Sequence, residues 1–125
     1  MPTAPELLRR YLASIRSPAA AAGLFAPDGV LELPWVQARA QGPQAIESLI
    51  TGLLTKIPAF GFRNVQFWIE TPERTFAEYE VEAPIPATGR IYRQTYAGLL
   101  IAQDGRIQRL REALDTRAAQ VLMPA

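Results

Sequence analysis

The chain has 125 residues, 49% of them hydrophobic and 20% charged, with a net charge of +1. That balance fits one globular domain of ordinary size, argues against disorder, and gives no electrostatic case for nucleic acid or an anionic membrane. There is no Cys and no His, so disulfides, thiolate nucleophiles, zinc sites and Ser-His-Asp triads are excluded, and acid–base chemistry falls to Asp, Glu, Tyr, the single lysine Lys56 or a bound cofactor.

In chain order, Pro5 to Ile15 carries Leu7, Leu8, Tyr11, Leu12 and Ile15 at helical spacing, with Thr3 or Pro5 near its start. The start, MPTAPELLRRYL, lacks a basic segment followed by an apolar core, so no secretory signal is expected and the cytoplasm is the default location. Ala19 to Phe25 is predicted as a short Ala-rich helix, stopped by Pro27-Asp28-Gly29. Val30 to Trp35 reads as a short strand. Gly42-Pro43 opens a helix with Ala45, Ile46, Leu49, Ile50, Leu53 and Leu54 on a broad apolar stripe, ended by Pro58. Phe62 to Thr71 and Arg74 to Ala83 read as strands. Pro84, Pro86 and Thr88-Gly89 form a turn, and Arg90 to Ala102 is a long strand. No apolar run approaches the ~20 residues that span a bilayer.

The stretch RIQRLREALD, Arg106 to Asp115, comes after Asp104-Gly105, a strong hairpin signal. As a strand it places Leu110, Glu112 and Leu114 on one face and Ile107, Arg109, Arg111 and Ala113 on the other. Ile107, Leu110, Leu114, Ala118 and Val121 also fit a helical face, so a continuous C-terminal helix is the rival on periodicity. The turn favours the strand, because the preceding alternating segment needs a partner. A last helix then runs from Thr116 to Leu122, with Asp115 placed to cap it. Helices succeeded by a meander of strands predict an α+β domain with a curved antiparallel sheet wrapped around the helices.

Four segments in this order, LFAPDGVLELPW (24–35), QGPQAIESLI (41–50), TGRIYRQTY (88–96) and DGRIQRLREALD (104–115), make the chain resemble the nuclear transport factor 2-like superfamily, in its SnoaL-like and ketosteroid-isomerase-like branch. The resemblance covers nearly the whole chain, residues 1–125, as a single domain. It implies a cone-shaped fold: N-terminal helices packed against a strongly curved, mainly antiparallel sheet enclosing one pocket. It also implies homodimers through the sheet's outer face, and the face carrying Tyr92, Gln94 and Tyr96 suits such an interface.

The same resemblance supplies candidate site residues. In phenazine-biosynthesis A/B-type proteins a similar Arg-Glu pair on the last strand puts its glutamate into the pocket as an acid–base group, and Glu112 falls on that position; NVQFWIETPERTF (64–76) is also similar to that group. Limonene-epoxide-hydrolase-type members carry Asp there. A carboxyl between Leu110 and Leu114 in an apolar cone loses hydration, which raises its pKa. The alternative is a salt bridge from Glu112 to Arg93 or Arg111. Tyr11 matches the helix-one tyrosine that donates to the substrate oxyanion in ketosteroid isomerases; otherwise it is an amphipathic core residue. Trp35 is a candidate aromatic wall at the pocket mouth or a core residue. Tyr79 shares an apolar face with Ala77, Val81 and Ala83. The isomerase alignment turns Arg93 inward with Thr95, Ala97 and Leu99, where it would bind a carboxylate.

Glu78, Glu80 and Glu82 repel one another on one strand face, so they read as a solvated face with Arg partners, not a metal or acid–base cluster. Departures from the named enzymes are equally informative. The isomerase base falls near Leu33, its second acid near Ala97, and the phenazine-protein histidine near Leu49, while the epoxide-hydrolase Arg and Asp have no match near Tyr79 and Val81. Two functions remain as expectations. One is a cofactor-independent enzyme, without metal, that uses Glu112 on an aromatic or polyketide-like small molecule by isomerisation, cyclisation, dehydration or condensation. The other is a noncatalytic ligand-binding or dimeric interaction module.

Overall fold

In a computed structural model that describes residues 1–123, helices fill the hollow of a curved, unclosed six-stranded sheet. Helix α1 (Ala4–Ala13) starts on Thr3, whose side chain accepts from the Glu6 amide while the Glu6 carboxylate returns to the Thr3 amide, a reciprocal cap that satisfies two free amides. Its apolar stripe buries Leu7, Leu8, Tyr11 and Leu12 against the sheet. Helix α2 is short (Pro18–Ala22) and α3 runs Pro43–Lys56. The strands are β1 (Phe25–Leu33), β2 (Ala38–Gln41), β3 (Arg63–Glu70), β4 (Arg74–Ile85), β5 (Arg90–Gln103) and β6 (Arg106–Leu114), and α4 (Thr116–Ala119) and a 3-10 turn, Gln120–Leu122, come last. The sheet order is β2-β1-β6-β5-β4-β3; β1 lies parallel to β6 and every other pair is antiparallel.

Several expectations are corrected here. Arg106–Leu114 is a strand, so the continuous C-terminal helix is ruled out. Residues 25–29 belong to β1 instead of closing α2, and Pro27-Asp28-Gly29 is an irregularity within the strand. Gly29 is required there, because an added Cβ would lie 2.6 Å from the Ile107 carbonyl oxygen. Strand β2, only four residues long, was not expected. Ala45 is exposed, and only Ile46 and Ile50 of the α3 stripe are fully buried.

Two turns decide which side chains face the hollow. Asp104 and Gly105 both have positive φ, at 54° and 74°, as a two-residue hairpin turn requires. At the other end of β5, a four-residue loop leaves Ile85 opposite Arg90. Counting back from there pairs Tyr79 with Tyr96 and Glu82 with Arg93. Tyr79, Tyr92, Gln94 and Tyr96 are therefore buried on the inner face, while Arg93, Thr95 and Leu99 face out.

Strand β6 carries one irregularity of consequence. Ala102 pairs with Ile107, but Ile101 pairs with Arg109, so Gln108 is an extra residue: a β-bulge. It reverses the inward parity, so Ile107 as well as Leu110, Glu112 and Leu114 faces the interior. The expected grouping of Ile107 with Arg109 and Arg111 is corrected by this bulge. Deleting Gln108 is expected to close the bulge with Arg109 still opposite Ile101 and Leu110 still opposite Leu100, so the faces of residues 109–114 are kept. Urea unfolding should stay cooperative; loss of cooperativity, as expected if Leu110 were expelled at a cost of ~1.5–3 kcal/mol, would contradict the register.

Candidate active site

The hollow of the sheet holds a cavity of about 230 Å³ with almost wholly apolar walls. Leu49 and Leu53 of α3 form one wall, Leu33 and Val36 another, and Ala119, Leu122 and Met123 reach it from the C-terminal end. That end is held in place by polar contacts. The Asp115 carboxylate accepts from the Arg117 and Ala118 amides. The buried Gln94 amide donates to the Asp115 carbonyl and accepts from the Asp115 N–H, at 2.9 and 2.8 Å. The Lys56 ammonium donates to the Leu122 carbonyl at 2.9 Å.

Among the described residues, Glu112 is the one ionisable carboxyl on the cavity wall. It sits on β6 opposite Gly98 and is 3% exposed. Its Oε2 accepts a hydrogen bond of 2.5 Å from the Tyr79 hydroxyl. No arginine reaches it among the described residues. Arg93 turns outward to Glu82 at 3.0 Å, and Arg111 joins Arg109 on Glu32 on the outer face. Burial drives the Glu112 pKa up and the Tyr79 hydrogen bond opposes it, leaving it at about 7. Glu32 shows the opposite outcome: its burial is outweighed by the two arginine hydrogen bonds, and its pKa is lowered.

Aromatic side chains line the rest. Tyr11 is 2% exposed and reaches the cavity from α1. Its hydroxyl has no protein hydrogen bond among the described residues. The Tyr92 and Tyr96 hydroxyls lie 2.9 Å apart. One phenol donates to the other, and both rings line the cavity. Phe60 stacks on Tyr92, and Phe62 meets Tyr79 and Tyr96 edge-on at 5.0 and 5.7 Å.

Of the residues singled out from the sequence, Glu112, Tyr11 and Leu114 line the cavity together. Tyr79 and Leu110 are buried beside it without lining it. Two placements are corrected. Trp35 lies on the 3-10 turn Pro34–Val36, 61% exposed, and is no part of the wall. Arg93 points away from the cavity, because it is the register partner of Glu82. The expected dimer face of Tyr92, Gln94 and Tyr96 is instead the interior. The tyrosine pair was missed for that reason, although counting pairs back from the four-residue loop would have found it. Leu33 and Leu49 do line the cavity, whereas Ala97 faces outward. Glu78, Glu80 and Glu82 take Trp68, Asn64, Arg63 and Arg93 as partners, and no group of three or more acidic side chains among the described residues is placed to hold a metal.

The chain belongs to the SnoaL-like domain family, whose profile matches residues 8–110, within the nuclear transport factor 2-like superfamily. The matched region forms the frame of the cone and ends two residues before Glu112. No curated protein sequence matches the chain. A candidate isomerase from Bacillus subtilis is similar at 24% identity and TM-score 0.83, over 95% of this chain and 91% of its own. A candidate polyketide cyclase from Pseudomonas putida KT2440 is similar at 16% identity and TM-score 0.84, over 98% of both chains. A phenazine biosynthesis-related protein from Pseudomonas aeruginosa is similar at 18% identity and TM-score 0.81, over 98% of this chain and 86% of its own. These likenesses establish the shared cone fold. No helix among the described residues is long and apolar enough to cross a membrane.

The raised pKa of Glu112 has a consequence for stability. Below about pH 4.5 the folded and unfolded chains both hold the proton, and the buried acid costs nothing extra. Between about 4.5 and 7 the unfolded chain releases it first, so stability falls as pH rises; the loss is complete above about 7, on the order of 3 kcal/mol. Glu112→Gln is expected to remove this fall. Urea unfolding of both proteins from pH 4 to 8 checks it, and an advantage of the variant that does not grow with pH would contradict the burial of a carboxyl free of cationic partners.

Proposed function

We propose that this SnoaL-like protein binds a hydrophobic, ring-sized small molecule in its cone and that Glu112 acts on it as a general acid and base. The reaction class is isomerisation, cyclisation, dehydration or condensation of an aromatic or polyketide-like substrate. One observation carries the reading: a carboxyl 3% exposed, on an apolar cavity, with a pKa of about 7. At neutral pH such a group is about half protonated, and so can both collect and deliver a proton. An apolar cavity of ~150 Å³ is known to accept a benzene ring, so about 230 Å³ suits one or two rings. The polyketide-cyclase and phenazine-biosynthesis descriptions of similar folds support this reading.

Tyr11, Tyr92 and Tyr96 line the cavity, and a phenol beside otherwise apolar walls supports a substrate that carries a polar oxygen. The noncatalytic alternative calls for a salt-bridged Glu112 or a cone filled by side chains, and neither feature supports it. Homodimerisation belongs to the same proposal, through the outer sheet face where Trp68 and Leu99 are exposed.

Screening aromatic and polyketide-like compounds against the wild type and Glu112→Gln tests the reading. Once a substrate is found, the variant should lose ~10²–10⁴-fold in turnover while still binding; unchanged turnover ends the acid–base role. Arg93→Ala should leave both turnover and ligand affinity within twofold of wild type. Trp68→Glu should convert a dimer to a monomer in light scattering, and a protein that is monomeric from the outset removes the dimer from the proposal.

A further inference from the structure

We propose that Gly98 and Tyr79 form a positioning pair for the cavity acid: Gly98 leaves the gap through which the Tyr79 phenol crosses β5 to reach Glu112. The inference deepens the reading of Glu112 given above, but its readout is the titration of one carboxyl and does not depend on turnover.

Tyr79 lies on β4 and Glu112 on β6, with β5 between them. Neighbouring strands are ~4.8 Å apart, so a hydrogen bond between these side chains must pass directly over β5. Tyr79 pairs with Tyr96, and Glu112 pairs with Gly98, both on the inner face. The phenol therefore leans along the sheet as well as across it. A Cβ added at Gly98 would lie 2.1 Å from the Tyr79 hydroxyl oxygen, 3.0 Å from Cζ and 3.2 Å from Cε1. Any side chain at residue 98 displaces the phenol.

Gly98 is not there for its backbone. The positive-φ glycines among the described residues are Gly42, Gly89 and Gly105, and Gly98 sits in an ordinary antiparallel ladder. Glycine within a strand weakens it and commonly marks a close approach. Here the approaching group is the phenol of a residue 0% exposed. Its ring is held from two sides: Tyr96 stacks on it at 6.0 Å with an interplanar angle of 17°, and Phe62 meets it edge-on at 5.0 Å.

This placement sets the chemistry. Burial drives the Tyr79 hydroxyl pKa well above 10, with the nearby Glu112 charge adding to the rise. The hydroxyl thus stays a donor while Glu112 titrates, and a donor favours the carboxylate over the acid. Tyr79 also anchors Oε2, leaving the other carboxyl oxygen for the ligand. Tyr79 touches no ligand space; it acts through Glu112.

The titration of Glu112 is tracked by carbon-13 NMR of labelled Glu carboxyl carbons, with Glu112→Gln identifying the signal. Tyr79→Phe keeps the ring and removes the donor. It is expected to raise the Glu112 midpoint by about one pH unit, a tenfold change in the ionisation constant. Gly98→Ala should raise it in the same direction, and adding Gly98→Ala to Tyr79→Phe should move it no further. An unchanged midpoint in Tyr79→Phe overturns the proposal. A raised midpoint in Tyr79→Phe with a wild-type midpoint in folded Gly98→Ala overturns the role of Gly98. If Gly98→Ala does not fold, Tyr79→Phe alone decides whether Glu112 is tuned through the phenol. Unchanged turnover in Glu112→Gln would remove the enzymatic reading and leave this one standing.

Discussion

One extra residue in the last strand decides which side of the sheet the acid occupies. A strict two-residue hairpin at Asp104-Gly105 would pair Glu112 with Ala97, an outward-facing position. The bulge at Gln108 shifts the register by one and sets Glu112 opposite Gly98 instead. In a sheet, a shift of one residue exchanges the faces of every side chain beyond it. The same shift sends Arg109 and Arg111 outward, where Glu32 takes both. The carboxyl is therefore brought into the cone and separated from its cationic neighbours by a single backbone irregularity.

Inside the cone, two effects compete for one proton. Removal from water favours the neutral acid, and the Tyr79 donor favours the carboxylate. Burial is the larger effect, and the result lies near neutrality. An arginine in place of the phenol would have reversed the balance, as Glu32 demonstrates on the other face of the same sheet. Aromatic rings supply the means of holding this arrangement without further charge. Phe60, Phe62, Tyr92 and Tyr96 pack around Tyr79 and the cavity, so the polar tips are placed by ring packing.

The cone fold itself is shared with proteins of different described roles, and fold alone does not choose among them. In this chain the choice falls to a few positions. Leu33 and Leu49, which the resemblance aligns with a base and a histidine of other enzymes, are apolar and line the cavity. Apolar residues at both positions leave Glu112 as the single carboxyl, among the described residues, on a wall it shares with phenols.

The local elements were legible in the amino-acid order. The capped first helix, the hairpin at Asp104-Gly105 and the cap at Asp115 depend on residues a few positions apart, whose turn and capping chemistry acts within the local chain. Two further signals of the same kind lie in the chain. The loop before Arg90 holds an even number of residues whether the strand ends at Ala83 or at Ile85, and that already implies that Tyr92 and Tyr96 share the face of Tyr79 and that Arg93 does not. A glycine in the middle of a Tyr- and Leu-rich strand marks a close approach. Long-range packing decided the rest: the bulge at Gln108, the parallel pairing of β1 with β6, the short β2 and the exposure of Trp35. These arise from how distant strands fit one another, and no nearby residue records that fit. The neutral-range pKa of Glu112 is of the same kind: it depends on water excluded by α1, α3 and the C-terminal turn, and on a phenol two strands away.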